Sequence, residues 1–178
     1  MNITVVGGGP GGLFFSILVK KAWPQCNIKV LERNKADDAF GFGVVFSDET
    51  LSEFLSRDTG TYELIRDRFA YWDELDVVRN GEKVRITGNG FCGCSRKTLL
   101  QILQQRCREE GVELHFETVV DDPSAWKDAD MVVVCDGIAS GIRSRFATEF
   151  GTKVEMKKNR FVWLGSARKL ASNSKDPK

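Results

Sequence analysis

The stretch Met1–Asn34, MNITVVGGGPGGLFFSILVKKAWPQCNIKVLERN, decides the fold. Ile3–Val6 is a short apolar run, the pattern of a strand buried in a parallel sheet. Gly7, Gly9 and Gly12 then spell G-x-G-x-x-G, and Leu13–Val19 continues as an apolar segment of helical length. A second strand is expected at Asn27–Leu31, with Ile28 and Val30 turned inward, and it ends on Glu32, twenty residues past Gly12. Each part has a physical task in binding a dinucleotide. Gly7 allows a tight turn, Gly9 lets a pyrophosphate approach the backbone, and Gly12 lets helix and strand pack closely. The helix N-terminus offers free N–H groups and partial positive charge to phosphates. Glu32 is placed to accept hydrogen bonds from ribose hydroxyls at the adenosine end. A glycine motif alone is weak, but here it follows a strand, opens a helix and is completed by an acid. The motif does not by itself separate NAD from FAD.

Composition bounds the remaining classes. At 178 residues the chain is long enough for one well-cored domain. A net charge of +1 gives no bulk electrostatic attraction to nucleic acid or to an anionic membrane. The apolar N-terminus lacks a basic leader and is interrupted by glycines, so it reads as neither signal peptide nor membrane span. Cysteines stand at 26, 92, 94, 107 and 135. The Cys92-Gly-Cys94 spacing is too short for a usual zinc knuckle, with no second pair or histidine nearby. All five read as reduced thiols of a cytoplasmic protein, with Cys107 and Cys135 in or near the core and a Cys92/Cys94 redox pair as the alternative. The single histidine, His115, lies in a strand-like run and reads as structural; neither a nucleophilic triad nor a metal site can be assembled from these residues.

Farther along, Lys35–Asp38 reads as polar loop, and Phe40-Gly-Phe-Gly-Val-Val-Phe46 places glycines where backbone would pass close to something flat. Ser47 or Asp48 caps a helix over Glu49–Leu55, and another runs near Tyr62–Arg68. Tyr71–Val78 and Lys83–Ile86 read as two strands joined by the Asn80-Gly81 turn, a strong hairpin signal. Ser95 caps a helix from Arg96 to about Glu110, with Leu99, Leu100, Leu103 and Cys107 on one face and Gly111 closing it. Val112–Val120 reads as a strand pair or bent strand. Ala129–Cys135, with its MVVVC run, reads as another central parallel strand.

That last strand leads to the second signal. Asp136-Gly-Ile-Ala-Ser140-Gly-Ile-Arg143 places an acid, a glycine, a hydroxyl and an arginine just beyond the strand's carboxyl end. Ligands of open α/β sheets sit at that edge. The fold class is therefore α/β: a Rossmann-like FAD/NAD(P)-binding domain with a parallel sheet, carrying a small β-hairpin insertion. Its sheet is expected to hold Ile3–Val6, Asn27–Leu31, a strand near Glu113–Phe116 and Met131–Cys135, with the Tyr71–Ile86 hairpin set apart.

The GGGPGG opening with Glu32-Arg33, Arg96 at the head of its helix, and CDGIASGIR together carry a resemblance. The chain resembles the FAD-binding half of the flavoprotein aromatic hydroxylases, the p-hydroxybenzoate hydroxylase-like monooxygenases. Within them, GFGVVFSDETL and NRFVWLG are most similar to the group acting on salicylyl-CoA or 2-aminobenzoyl-CoA. The resemblance covers Met1 to about Gly165. It implies that Gly7, Gly9 and Gly12 hold the pyrophosphate, that Glu32 holds the adenosine ribose, and that Arg33 lies beside the adenosine. It also implies Gly43 and Val44 near the flavin ring, Arg96 near the ribityl-phosphate region, and Asp136 with Gly137 closing over the phosphates. No catalytic side chain and no metal is implied, because the chemistry belongs to the cofactor. NAD(P)H would reduce the flavin, and O₂ would supply the atom delivered to a small aromatic substrate, an aryl-CoA thioester among the candidates.

Those enzymes continue through a second Gly-Asp flavin motif and a substrate-covering sheet, neither of which occurs in this sequence. The expected organisation is a truncated FAD-binding domain over 1–165 and a polar, disordered tail over 166–178, inactive by itself. Lys153, Lys157, Lys158 and Arg160 read as a solvated face rather than a phosphate site. A non-catalytic dinucleotide-binding module is the alternative. A plain NAD(P)-dependent oxidoreductase is weaker, since it needs neither Arg96 nor the Asp136-Gly137 motif. Oligomeric state and partner proteins are not legible in the sequence.

Overall fold

A computed structural model describes residues 1–120 and 122–162. The 166–178 tail and the last residues of the 1–165 domain therefore lie outside the described residues. In chain order the strands are β1 (Asn2–Val6), β2 (Asn27–Leu31), β3 (Gly43–Ser47), β4 (Ala70–Trp72), β5 (Leu75–Arg79), β6 (Glu82–Ile86), β7 (Phe91–Ser95), β8 (Glu113–His115) and β9 (Met131–Val134). The helices are α1 (Pro10–Ala22), α2 (Asp48–Arg57), α3 (Thr59–Arg66), α4 (Arg96–Glu109) and α5 (Gly141–Arg145). None is long and apolar enough to cross a membrane.

The main sheet is wholly parallel, in the order β8-β2-β1-β9. Val5 of β1 pairs with Val30 on one side and Val133 on the other, so β1 is flanked on both edges and Ile3 to Val6 are buried. Leu13 and Ile17 of α1 share one core with Leu99, Leu103 and Cys107 of α4 and with Ile3 and Val5 of β1. This is the Rossmann-like α/β arrangement the first thirty-four residues dictate.

A second, antiparallel sheet runs β3-β7-β4. Its inner face carries Phe46, whose ring lies 5.8 Å from Phe69 and 5.4 Å from Phe54. Phe54 in turn meets Phe14 of α1 at 4.7 Å, so aromatic contacts join the two sheets' cores. The expected single strand Tyr71–Val78 is two strands. Tyr71 and Trp72 pair with β7, where the Trp72 ring lies over Gly93, within 3.0 Å of where a Cβ would stand. After polar Asp73-Glu74, β5 and β6 form a separate ribbon, turning at Asn80 (φ 52°) and Gly81 (φ 84°). Both central residues have positive φ, as the type I′ turn requires. Leu75, Val77, Val84 and Ile86 share one exposed face of this ribbon, while Asp76 accepts two hydrogen bonds from Arg85 on the other.

Two further expectations change. Val112–Val120 contributes only the three-residue β8, because Glu117 takes a left-handed φ of 53° and turns the chain back. There Glu117 N donates to Asn34 O and Thr118 N to Glu32 O, fastening this turn to the end of β2. β9 joins the sheet of β1 as expected, but among the described residues it is an edge strand rather than a central one, with Met131 and Val134 exposed.

Behind the sheet lies an ionic cluster the sequence does not announce. Asp58 caps α3 through Thr61 N and is 1% exposed. Its carboxylate accepts from Thr61 Oγ1, Lys21 Nζ and both Nε and Nη2 of Arg106, which ties α1, α3 and α4 together. Burial works to raise this carboxyl's pKa, but the Arg106, Lys21 and Thr61 hydrogen bonds outweigh it and hold it well below the carboxylate range. A depressed folded-state pKa stabilises the fold fully above the ordinary value of 3.8, and that contribution is lost as pH falls below it. Removing one partner of a buried pair leaves the other charge uncompensated, so Asp58→Ala is expected to cost about 3 kcal/mol, measured by urea unfolding at neutral pH. The gap between the two proteins should narrow in the same measurement at about pH 3; an unchanged gap would remove Asp58 from the acid-sensitive set.

Candidate functional site

The carboxyl ends of all four parallel strands open into one groove of about 460 Å³. Its wall takes Val6–Gly9 after β1, Leu31–Lys35 after β2, Phe116 and Thr118–Val120 after β8, and Cys135–Gly137 after β9. Arg96, Leu100 and Gln104 of α4 close another side.

The glycine turn shows where a side chain has no room and where it has. Gly7 has φ of 107° and donates from its N–H to Leu31 O at 2.8 Å. A Cβ there would stand 2.3 Å from Cys135 O, so this residue threads between β2 and β9. A Cβ on Gly12 would meet Gly7 O at 2.1 Å, and Val5 and Cys135 side-chain carbons at 3.2 Å. Gly12 is buried inside the packing rather than on the groove wall. Gly9 is the N-cap of α1 and has open space where its Cβ would be, facing the groove. No side chain caps α1, and Pro10 follows at the first helical position. The amides of that first turn have no intrahelical carbonyl to bond, which leaves an anion-attracting helix end at the groove.

Gly8 was not singled out by the spacing of the motif, yet it is constrained where Gly9 is not. A Cβ on it would stand 2.9 Å from Glu32 Cβ. Its N–H donates to Glu32 Oε2 at 2.7 Å, while Glu32 Oε1 accepts from Asn34 N at 2.8 Å and Asn34 Nδ2 at 2.6 Å. The run of three glycines is the signal that could have found it.

At the other strand end, Gly137 has φ of 91°, and Ser140, 3% exposed, caps α5 by accepting from Arg143 N at 2.9 Å. The Arg143 guanidinium donates back to the carbonyls of Gly137 and Ile138. The hydroxyl and the arginine of the second signal thus brace the turn, and its Asp136 and Gly137, with Ala139, Gly141 and Ile142, stand on the groove wall. Cys135 also lines it, and burial together with the Asp136 charge pushes its thiol pKa up, so it is not poised as a thiolate. Burial likewise raises Cys94, to about 11, and Cys92.

Of the residues picked from sequence, Gly7, Gly9, Glu32, Arg33, Arg96, Asp136 and Gly137 meet at the groove. Gly43 and Val44 do not line it. They sit in β3, where a Cβ on Gly43 would meet Cys94 O at 2.8 Å, so the surface that glycine approaches is the neighbouring strand. Phe40 does line the groove. Gln104, Trp126 and Arg145 line it as well, and sequence gave no signal for them. Gln104 is 5% exposed and donates to Ala36 O at 2.9 Å, pinning the loop after β2. Among the described residues no cluster of His, Cys, Asp and Glu could hold a metal ion.

No family model matches the chain. Over 166 residues it is 44% identical to a salicyloyl-CoA 5-hydroxylase from a Streptomyces species, covering 93% of this chain and 32% of that protein. It is 33% identical over 170 residues to a 3-hydroxy-4-methyl-anthranilyl-(aryl-carrier protein) 5-monooxygenase of Streptosporangium sibiricum, covering 96% of this chain and 48% of that one. The chain thus spans about a third to a half of the length of the curated relatives it matches. Its fold is shared with 2-methyl-3-hydroxypyridine-5-carboxylic acid oxygenase, at a TM-score of 0.68 and 20% identity over 80% of this chain and 41% of that one. The likeness to aromatic-ring hydroxylases that the motifs carried is therefore shown in sequence, and the Rossmann-like fold in structure.

The glycine geometry separates two kinds of substitution. Gly12→Ala should lower unfolding stability by about 1–3 kcal/mol or more, since the added methyl overlaps a backbone carbonyl. Gly9→Ala, in extended backbone with free space, should change it by no more than about 0.5 kcal/mol. Chemical denaturation of both variants against the parent chain checks the pair; equal losses would contradict the packing described.

Proposed function

We propose that this chain is the FAD-binding portion of an NAD(P)H-dependent flavoprotein monooxygenase that hydroxylates an activated aromatic ring, with an aryl-CoA thioester as the substrate class. The observation that carries the dinucleotide part is the coincidence, at one sheet edge, of a glycine turn, an uncapped helix N-terminus and a held carboxylate at the end of the next strand. The groove fits such a group on its own geometry: Gly9 leaves a space that a side chain would fill, and the α1 N-terminus beside it has no side-chain cap, as an anion-binding helix end requires. The aromatic-ring part rests on kinship, since the two relatives described above are named as a hydroxylase and a monooxygenase of such rings.

On this reading Gly7–Gly9 and the first turn of α1 would hold the pyrophosphate, and Glu32 the adenosine ribose. Arg33 would flank the adenosine, Arg96 would meet the ribityl-phosphate region, and Asp136 with Gly137 would cover the phosphates. Gly43 and Val44 would act near the flavin ring only through the Phe40–Phe42 segment that precedes them, because they themselves stand off the groove wall. Bound flavin supplies the redox chemistry and the activation of O₂. The chain's own part is to bind, orient and exclude water. At the Phe40 end exclusion is incomplete: Phe40 and Phe42 are 68% and 64% exposed. Activated oxygen is lost to water in an open site, so these 178 residues alone should oxidise NAD(P)H to hydrogen peroxide slowly and hydroxylate nothing.

Titration of the purified chain with FAD, followed by visible absorbance, tests the binding half. Binding is expected, and Glu32→Ala should weaken it by about one to two orders of magnitude, the worth of a hydrogen bond to a charged group. Equal affinity would take Glu32 out of the site. Incubation with FAD, NADPH, O₂ and salicylyl-CoA or 2-aminobenzoyl-CoA, with products followed by mass, tests the other half. Hydroxylated product above a no-protein control would show that the 178 residues suffice for chemistry.

A further inference from the structure

Both oxygens of the Glu32 carboxylate are held by the protein itself. Gly8 N–H holds one oxygen, and the backbone and side-chain N–H groups of Asn34 hold the other, at 2.8 and 2.6 Å. Asn34 is itself anchored, because its carbonyl accepts from Glu117 N at 3.1 Å while Glu32 O accepts from Thr118 N at 2.9 Å. A long, half-buried glutamate would otherwise sample several rotamers, and ordering it on binding costs affinity.

Resting on the dinucleotide reading above, we propose that Asn34 is a positioning and specificity-determining residue: its side-chain amide fixes the Glu32 carboxylate in the one placement that accepts a ribose bearing free hydroxyls and repels a ribose bearing a 2′-phosphate. Asn34 is not required to touch the ligand. Three donors converge on two carboxylate oxygens: Oε1 accepts the two from Asn34, while Oε2 accepts only the one from Gly8 and keeps lone-pair capacity for a ribose hydroxyl. Held there, the negative charge meets the 2′ position with like-charge repulsion if a phosphate is present. Released from Asn34, the carboxylate swings between rotamers, and both the attraction for hydroxyls and the repulsion of phosphate are diluted.

The test uses the full chain, with ADP and adenosine 2′,5′-bisphosphate as probes in titration calorimetry. Asn34→Ala keeps the backbone donor and the Gly8 donor, so the expected loss in ADP affinity is about tenfold rather than complete. Its preference for ADP over the 2′-phosphate should fall severalfold, a change that a merely structural role would not produce. Asn34→Asp keeps the size but turns the donor into a carboxylate beside Glu32, and should lose more ADP affinity than Asn34→Ala. In a Glu32→Ala background, adding Asn34→Ala should change ADP affinity by less than about twofold, since the group it positions is gone. Unchanged affinity and preference in Asn34→Ala, or a full loss repeated in the Glu32→Ala background, would overturn the proposal alone. Failure of the parent chain to bind either ADP or FAD would overturn the dinucleotide reading and the proposal with it.

Discussion

The carbonyl oxygen of Gly7 lies where a side chain on Gly12 would have to be. That missing methyl lets α1 start directly at the end of β1 and lie close on the sheet, and other features of the site follow from it. With α1 drawn in, Leu13 and Ile17 reach the same core as Ile3 and Val5, and α4 packs against α1 through Leu99, Leu103 and Cys107. The short link also leaves the first amides of α1 at the groove rather than wrapped in a loop. One steric constraint thus sets the packing of the domain and the polarity of its open edge.

Packing alone does not hold the helices in register. Asp58, buried between α2 and α3, gathers Lys21 from α1 and Arg106 from α4. Arg106 also pairs with Glu109 and Glu110, so all three guanidinium nitrogens donate to a carboxylate. A buried ion pair contributes little net stability against an apolar substitute, because desolvation offsets the attraction. Its worth here is geometric: α1 and α4 can slide against each other only by stranding a buried charge. The elements that carry Gly9 and Arg96 to the groove are thereby fixed relative to one another.

The parts legible in sequence were those governed by local rules. Apolar runs and glycine spacing located β1, α1, β2 and Glu32; Ser47 or Asp48, and Ser95, marked helix starts; Asn80-Gly81 marked a hairpin. What escaped was set by distant partners. Trp72 belongs with β7 because Gly93 offers a flat place for its ring, and nothing near position 72 says so. β8 stops at His115 because Glu117 turns to reach the backbone of Asn34. Nothing near Gly43 says that it also makes room for the carbonyl of Cys94 across an antiparallel pair. Gln104 and Trp126 reach the groove from elements whose own patterns speak only of helix and turn.

The two ends of the groove differ in how much order they already possess. At the end formed by β1, β2 and β9, the polar groups are held before binding: Glu32 by Gly8 and Asn34, the Asp136-Gly137 turn by Ser140 and Arg143. A ligand arriving there pays little to order the protein, so contacts convert efficiently into affinity. At the Phe40 end the side chains stand in water, and Arg96 is the one residue of α4's first turn on the wall. On the function proposed, the ordered end suffices to hold the adenosine half of a dinucleotide, while a reaction that must keep water out depends on covering the end that these residues leave open.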